Sequence, residues 1–391
     1  MRQYFSRRNC LTAFGVLVLL LVMLVVGGAF VINRFVNIGA IVSDGGEAAV
    51  QVPAGFSVNI FASGLLGPRF MAVGPDGHLY VADRLNDRII ILPDRNGDGV
   101  ADETLVFATG LNRPHSLTYH EGSWYVGVPA GIVVLTDSDG DLSADSSTML
   151  IDDFPTSGTH STRTVDFLPD GRMVVSIGSS CNVCEETDER RAAIVVYDMP
   201  GALNERLYAT GLRNAVGLAV QPGTGHLWAS NNGRDLMGDD LPPETVYRLS
   251  EGSFYGWPVC HNGYLIDPDM GSPGSCDGVT PPTVEMQAHS APLGLAFYDA
   301  QQFPEEYWGD LFIAFHGSWN RSEPTGYKVV RLDLVSGVPA TAVEDFATGW
   351  LDGATGEAAG RPVDVVVGAD GALYVSDDKG HFIYRISYTG E

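Results

Sequence analysis

The chain repeats itself, and the repeat decides what it can fold into. One phrase recurs: a short apolar strand, Gly-Leu, a few turn residues, a second apolar strand, a Gly turn, then a strand ending in a small residue. It reads ASGLLGPRFMAVGPDGHLYVAD from Ala62, ATGLNRPHSLTYHEGSWYVGV from Ala108 and SGTHSTRTVDFLPDGRMVVSIG from Ser157. It returns as ATGLRNAVGLAVQPGTGHLWASN from Ala209, HSAPLGLAFYDAQQFPEEYWGDLFIAF from His289 and GRPVDVVVGADGALYVSD from Gly360. Self-similarity at roughly 45–50 residues, with several short strands per unit, marks an all-β, six-bladed β-propeller. The last two intervals are longer, so blades four and five are expected to carry insertions.

Each unit ends in a further strand leading to the next Gly-Leu: TLVFATGL, RLYATGL, VEDFATGW. A copy of that strand, FSVNIFASGL, precedes the first full repeat, while the last unit shows only three strands. The N-terminal strand is therefore expected to complete the last blade, hiding two exposed sheet edges. The propeller is expected over residues 53–388, after a linker at 35–52. A β-sandwich of similar strands is the plainer reading, and six registered copies argue against it.

Residues 1–34 read as a cytoplasmic flank and transmembrane anchor. Residues 11–32 are uncharged and apolar, close to the ~20 residues that span a bilayer. They are long for a signal-peptide core. Arg2, Arg7 and Arg8 precede them, which orients the N-terminus inward and the propeller outward. SRRNCL resembles a twin-arginine export signal, but no strong cleavage site follows, so an uncleaved anchor is favoured over an exported, cleaved chain.

Cys10 lies on the inner flank, which leaves Cys181, Cys184, Cys260 and Cys276 outside. Cys260 and Cys276 would close an insertion loop as a disulfide in an oxidising compartment. For Cys181-Asn-Val-Cys184 a local disulfide is favoured. Zinc lacks a second ligand pair, and covalent haem lacks the histidine, since Glu185 follows. With 48 acidic residues against 23 basic ones, the chain excludes nucleic acid and an anionic membrane surface as partners.

The scarce cations recur at one place. Where each unit starts its innermost strand, blade one offers Arg69, blade two His115, blade three His160 and Arg163. Blade four offers Arg213 with Asn214, blade five His289 and blade six Arg361. Such a ring suggests a positive pocket for a polyanionic ligand. The bland reading is that these groups pair with buried acids such as Asp83, Asp166, Asp364 or Asp377. Two loops share the same mouth. The stretch 229–247 is dense in Asn, Gly and Asp, which suits a hard cation such as Ca²⁺. The stretch 315–327 combines His316, Trp319, Asn320 and Arg321, which suits a planar acidic ligand. Asp94, Asn96, Asp98, Gly99 and Asp102 follow a calcium-loop spacing, and Asp137, Asp139, Asp141 and Asp145 echo it. Both lie between strands and lack the closing Glu, so solvated hairpin tips are the favoured reading.

With GLRNAVGLAV, the Asn-Gly-Arg-Asp…Gly-Asp-Asp run, YGWP, HSAPLGLAFY, HGSWNR and GRPVDV together, the chain resembles the soluble-type pyrroloquinoline-quinone (PQQ)-dependent glucose/sorbosone dehydrogenases, closest to the sorbosone-dehydrogenase-like branch. The resemblance covers nearly the whole propeller. It implies PQQ and Ca²⁺ as cofactors, a small sugar or polyol as substrate, and an electron acceptor that the sequence does not name. It implies that His160 is the general base taking the proton from the sugar hydroxyl. Arg213 and Asn214 match the pair beside the cofactor, and Arg361 matches an arginine on a cofactor carboxylate. His115, Arg163, His316, Trp319 and Arg321 are expected around the same cofactor. Calcium is expected near Asn232 and Gly233, with Asp239 and Asp240 supporting that loop. Two positions depart from the pattern. Ser179 stands where an aspartate orients the base, and Val363 stands where a second arginine is expected.

The reading is a membrane-anchored, outward-facing quinoprotein sugar dehydrogenase. Two alternatives share the fold: a calcium-dependent propeller hydrolase of lactonase type, and a non-catalytic binding propeller.

Overall fold

The computed structural model describes residues 45–390, except 336–337 and 340–342. Six antiparallel sheets of four or five strands follow one another along the chain. Blade one comprises Pro68–Val73, Leu79–Asp83, Arg88–Leu92 and Leu105–Thr109, innermost strand first. Blade two runs through Ser116–His120, Ser123–Val128, Gly131–Thr136 and Ser146–Ile151. Blade three begins at Arg163–Phe167, blade four at Ala215–Val220, blade five at Pro292–Phe297 and blade six at Pro362–Val367. The expected six-bladed propeller is therefore what forms.

Ring closure follows the expected route. Phe56–Ala62 pairs antiparallel with Phe382–Tyr388, so the N-terminal strand is the outermost strand of blade six. Phe382–Tyr388 is thus paired on both sides, and the outer edge of the blade passes to Phe56–Ala62. The segment read as a linker is not free throughout. Gln51 exchanges backbone hydrogen bonds with Thr348, Ala48 N–H donates to the Tyr384 hydroxyl, and Val50 and Val52 cover the core between blades five and six. Ala48, Val50 and Val52, apolar at alternate positions, give that segment something to bury. The apolar span at 11–32 lies outside the described residues. Among the described residues no helix is long and apolar enough to cross a membrane.

Neighbouring blades are pinned by one recurring device. A serine on the second strand donates its hydroxyl to a carbonyl on the innermost strand of the next blade. Ser176 reaches Ala215, Ser230 reaches Leu293 at 2.5 Å, and Ser376 reaches Arg69 at 2.8 Å. These bonds form because the innermost strands approach closely. At Gly217 an added Cβ would collide with the Leu293 carbonyl, so no larger residue fits there. Blade four carries its insertion between its last two strands, closed by the Cys260–Cys276 disulfide. Ser253–Phe254 of that insertion adds a parallel fifth strand to blade three.

On the axis, Phe70, Val216, Leu293 and Val363 form an apolar plug contributed by blades one, four, five and six. It separates two cavities. One, of about 540 Å³, is lined by Asp166, Asp364 and mostly apolar strand residues. The other, of about 400 Å³, holds the polar loops.

Candidate active site

The second cavity is walled by loops from five blades. Gly67, Arg69, Arg84 and Leu85 come from blade one, and Arg113 from the link into blade two. Thr159, His160, Ser161 and Thr162 come from blade three, Asn214 from blade four, His316 from blade five and Asp378 from blade six. Val216 and Leu293 of the plug form its floor.

His160 is the side chain with a base's geometry. Its Nδ1 lies 2.9 Å from the Ser179 carbonyl and 3.0 Å from the Ser179 hydroxyl. A carbonyl only accepts, so the proton sits on Nδ1 and Nε2 keeps its lone pair. Burial, then the charge of Arg213, pulls the imidazole down to about 3. It is neutral at any ordinary pH. The missing aspartate is thus replaced by the serine itself, whose hydroxyl is fixed in turn by donating to Cys181 O at 2.6 Å. Beneath the His160 loop lie two guanidiniums. Arg163 donates to the carbonyls of Pro155, His160 and Thr162, and Arg191 to those of Pro155, Ser157, His160 and Gly178. They lock the loop that carries the base.

The ring of cations does not converge as expected. His160 and Arg69 reach the wall, with Asn214 and His316. His115 is buried behind Arg69, its Nδ1 accepting from Arg69 Nε at 3.4 Å and its ring against Phe70. Arg163 is spent on carbonyls. Arg213 turns to Asn182 O and Oδ1 and to Asp235, 2.6 Å away. His289 bonds Gly238 O and Asn320. Arg361 donates Nε and Nη2 to the carbonyls of His316 and Gly317, leaving Nη1 outside those bonds. Arg321 holds Asp239 O and the Asp240 carboxylate, and Trp319 is exposed on the same loop. A buried guanidinium has to saturate its donors, and carbonyl-rich loops lie nearest. None of these cations takes Asp83, Asp166 or Asp364 as an ion-pair partner. Asp83 pairs with Arg88, while Asp364 accepts Met71 N–H across the blade six to blade one seam.

The set expected for calcium is also divided. Asn232 donates Nδ2 to Pro292 O, and Gly233 N–H is held by the buried Glu244 at 2.6 Å. The Asp239 carboxylate accepts from the backbone and hydroxyl of Ser322. Among the described residues, that loop gathers no three carboxylate, imidazole or thiol ligands. Cys181 and Cys184 form a local disulfide, as expected.

Three charged wall residues escaped the sequence reading: Arg84, Arg113 and Asp378. Two follow a rule. The residue just after the second strand is Arg84 in blade one, Asn232 in blade four, His316 in blade five and Asp378 in blade six. Asp378 binds Arg69 at 2.7 Å and His316 Nε2 at 2.9 Å. Burial opposes its ionisation, yet His316, Arg69 and Arg361 hold its carboxyl well below the usual carboxylate range.

A family model described as a domain of unknown function, DUF7133, matches residues 46–384. The chain belongs to that family. An uncharacterized protein of Borreliella burgdorferi is 29% identical over 361 residues, covering 87% of this chain and 91% of its own. A pyrroloquinoline quinone-dependent pyranose dehydrogenase of Coprinopsis cinerea is 26% identical over 86% of this chain. This chain spans about half of that relative, 54% of its length. The solved PQQ domain of a Coprinopsis cinerea pyranose dehydrogenase superposes with a TM-score of 0.76 at 23% identity, covering 89% of this chain and 99% of that one. The apo aldose sugar dehydrogenase of Escherichia coli superposes at 0.63 and 19% identity, over 85% and 99%. These superpositions show a shared fold.

Proposed function

We propose that this member of the DUF7133 family is a PQQ-dependent dehydrogenase that oxidises a sugar, an aldose or a sorbosone-like substrate. The observation that carries the reading is the His160–Ser179 contact: a neutral imidazole, proton fixed on Nδ1, with Nε2 open to a cationic cavity. In that role His160 accepts the proton of the substrate hydroxyl at Nε2. Support comes also from the named activity of the Coprinopsis relative.

The residues fit a flat tricarboxylate in part. Asn214, and Arg361 through its remaining Nη1, would hold it on the blade four to six side beside His316. Arg213 and Arg321 would reach it only by giving up Asp235 and Asp240, and Trp319 lies exposed on the neighbouring loop. When bound, the quinone supplies the hydride acceptor. Calcium fits less well. Asn232 and Gly233 can offer oxygens, but Asp239 and Asp240 are engaged with Ser322 and Arg321, and no step is assigned to the ion. We further propose that residues 11–32 anchor the chain, with the propeller extracytoplasmic and electrons leaving to a separate acceptor.

The test is quinone titration by calorimetry, followed by dye reduction with a panel of sugars. Saturable binding and sugar-dependent reduction are expected. Wild-type protein that binds no quinone sinks the dehydrogenase reading, and lactone hydrolysis without quinone would put the hydrolase in its place.

A further inference from the structure

Blades one and two bring three guanidiniums to the cavity wall: Arg69, Arg84 and Arg113. Among the lining residues one carboxylate faces them, Asp378, and it is already shared with His316; outside the cavity the Asp87 carboxylate lies against the Arg113 backbone. Asp83, the nearest acid in sequence to Arg84, is taken by Arg88, Asn86 and Leu66 N–H. His160 and His316 add no charge, since burial holds both imidazoles low, at about 3 and about 4. The surplus leaves a mark on Arg84. Burial, with Arg69 and Arg113 adding repulsion, lowers its guanidinium to about 9. Its Nη1 is buried without a hydrogen-bond partner. Like charges gathered in a cavity cost free energy unless an anion joins them.

Arg113 is also held there deliberately. Asp87 of blade one accepts Arg113 N–H at 2.6 Å, and Leu111 N–H bonds Asp87 O. Asn112 and Arg113 both adopt left-handed backbone, with φ of 46° and 58°. Neither is glycine, so the turn is strained, and such strain persists where surrounding structure enforces it.

We propose that Arg69, Arg84 and Arg113 form a subsite for the anionic group of the substrate, which makes the substrate a sugar bearing a carboxylate or a phosphate. This rests on the proposed dehydrogenase function. There the quinone takes the blade four to six side, and His160, on blade three, needs the reacting hydroxyl. Blades one and two are the wall left to the rest of the sugar. Guanidiniums bind carboxylate and phosphate oxygens through paired N–H donors, which neutral sugars cannot match.

The experiment is calorimetry on the detergent-solubilised full chain, with D-glucuronate, D-glucose 6-phosphate and D-glucose, each with and without saturating quinone. At least one acid sugar should bind about tenfold tighter than glucose. The preference should shrink with added salt, and vanish in Arg84→Gln and in Arg113→Gln. Arg113 is exposed, so its variant keeps the test open if Arg84→Gln fails to fold. Equal binding of neutral and acidic sugars overturns the subsite, as does a preference that survives both variants. Quinone that abolishes acid-sugar binding overturns it too, by giving the trio to the cofactor. A chain that binds glucuronate through these arginines but never binds quinone keeps the subsite and loses the dehydrogenase reading. One that binds quinone and turns over glucose as well as glucuronate does the reverse.

Discussion

Ser179 bears more of the chemistry than its residue type announces. Its carbonyl sets the tautomer of His160 and its hydroxyl closes a relay to Cys181 O. Since the carbonyl survives any substitution, Ser179→Ala should keep turnover within about tenfold of wild type, while His160→Ala should lose ~10²–10⁴ in kcat with quinone affinity largely kept. Steady-state kinetics and quinone titration on both variants check this. The same contact fixes a pH expectation. An imidazole pulled down to about 3 stays unprotonated through the acid range, so the base is available well below 6.5. The kcat profile should show no acid limb near pH 6.5; a limb there in wild type, absent in a variant that moves His160, would contradict the buried-base geometry. His160 was legible in the sequence because it lies just before an innermost strand, Arg163–Phe167. Arg84 and Asp378 were not, because the positions after second strands were read only in blades four and five, and those in blades one and six reach the wall as well. Arg213 and Arg361 were legible as cations, but which carbonyls would claim them depends on loop conformations that no periodicity encodes.

The loop between the second and third strands of blade three shows how one element sets several side chains at once. Its Cys181–Cys184 disulfide brackets Asn182. Asn182 Oδ1 accepts from Arg213 Nη2 and from Asp235 N–H, Nδ2 donates to Asp235 O, and the backbone carbonyl accepts from Arg213 Nε and Trp257 Nε1. Asn182→Ala removes the three side-chain bonds and leaves the carbonyl. It should cost about 1–3 kcal/mol in urea unfolding and weaken quinone binding in parallel with Arg213→Ala. Normal affinity in Asn182→Ala together with a defect in Arg213→Ala would show that Arg213 needs no help from this loop. The closing strand invites a second test. A chain starting at residue 45 retains Phe56–Ala62 and should fold; one starting at residue 63 exposes the edge of Phe382–Tyr388 and should aggregate or unfold, as read by circular dichroism and gel filtration. The repeat made these main strands and the closure readable, since alternation and Gly turns are local signals. The fifth strand Ser253–Phe254 was not, being two residues long and fixed only by the neighbouring blade.

At the scale of the molecule, a net charge of −25 coexists with carboxyls buried inside. Burial, the largest cause in each case, raises Asp166, Asp364 and Glu244 to about 7 and Asp377 to about 6. Five histidines move the other way: burial lowers His115, His160, His261, His289 and His316. The two sets act on stability in different windows. A carboxyl whose folded pKa exceeds its unfolded value near 4 binds its proton first in the folded state. Its contribution is complete below about pH 4, falls progressively as pH rises above that, and is gone once pH passes the folded value of 6 to 7. A histidine whose folded pKa is depressed binds its proton first in the unfolded state, so stability is lost as pH falls below about 6.5. From pH 8 downward the carboxyls should therefore raise the melting temperature until the unfolded histidines begin to protonate. The optimum should lie between about pH 6 and 7, and the acid side should be flat because the two sets oppose each other there. Asp364→Asn isolates one contribution. The amide oxygen can still accept Met71 N–H, but no carboxylate is left to desolvate. Its melting temperature should match wild type below about pH 4 and exceed it at pH 8 by on the order of a few degrees. A variant less stable than wild type at pH 8 would mean that Asp364 is ionised in the folded protein and that its charge has a partner in the channel, contrary to the burial that surrounds it.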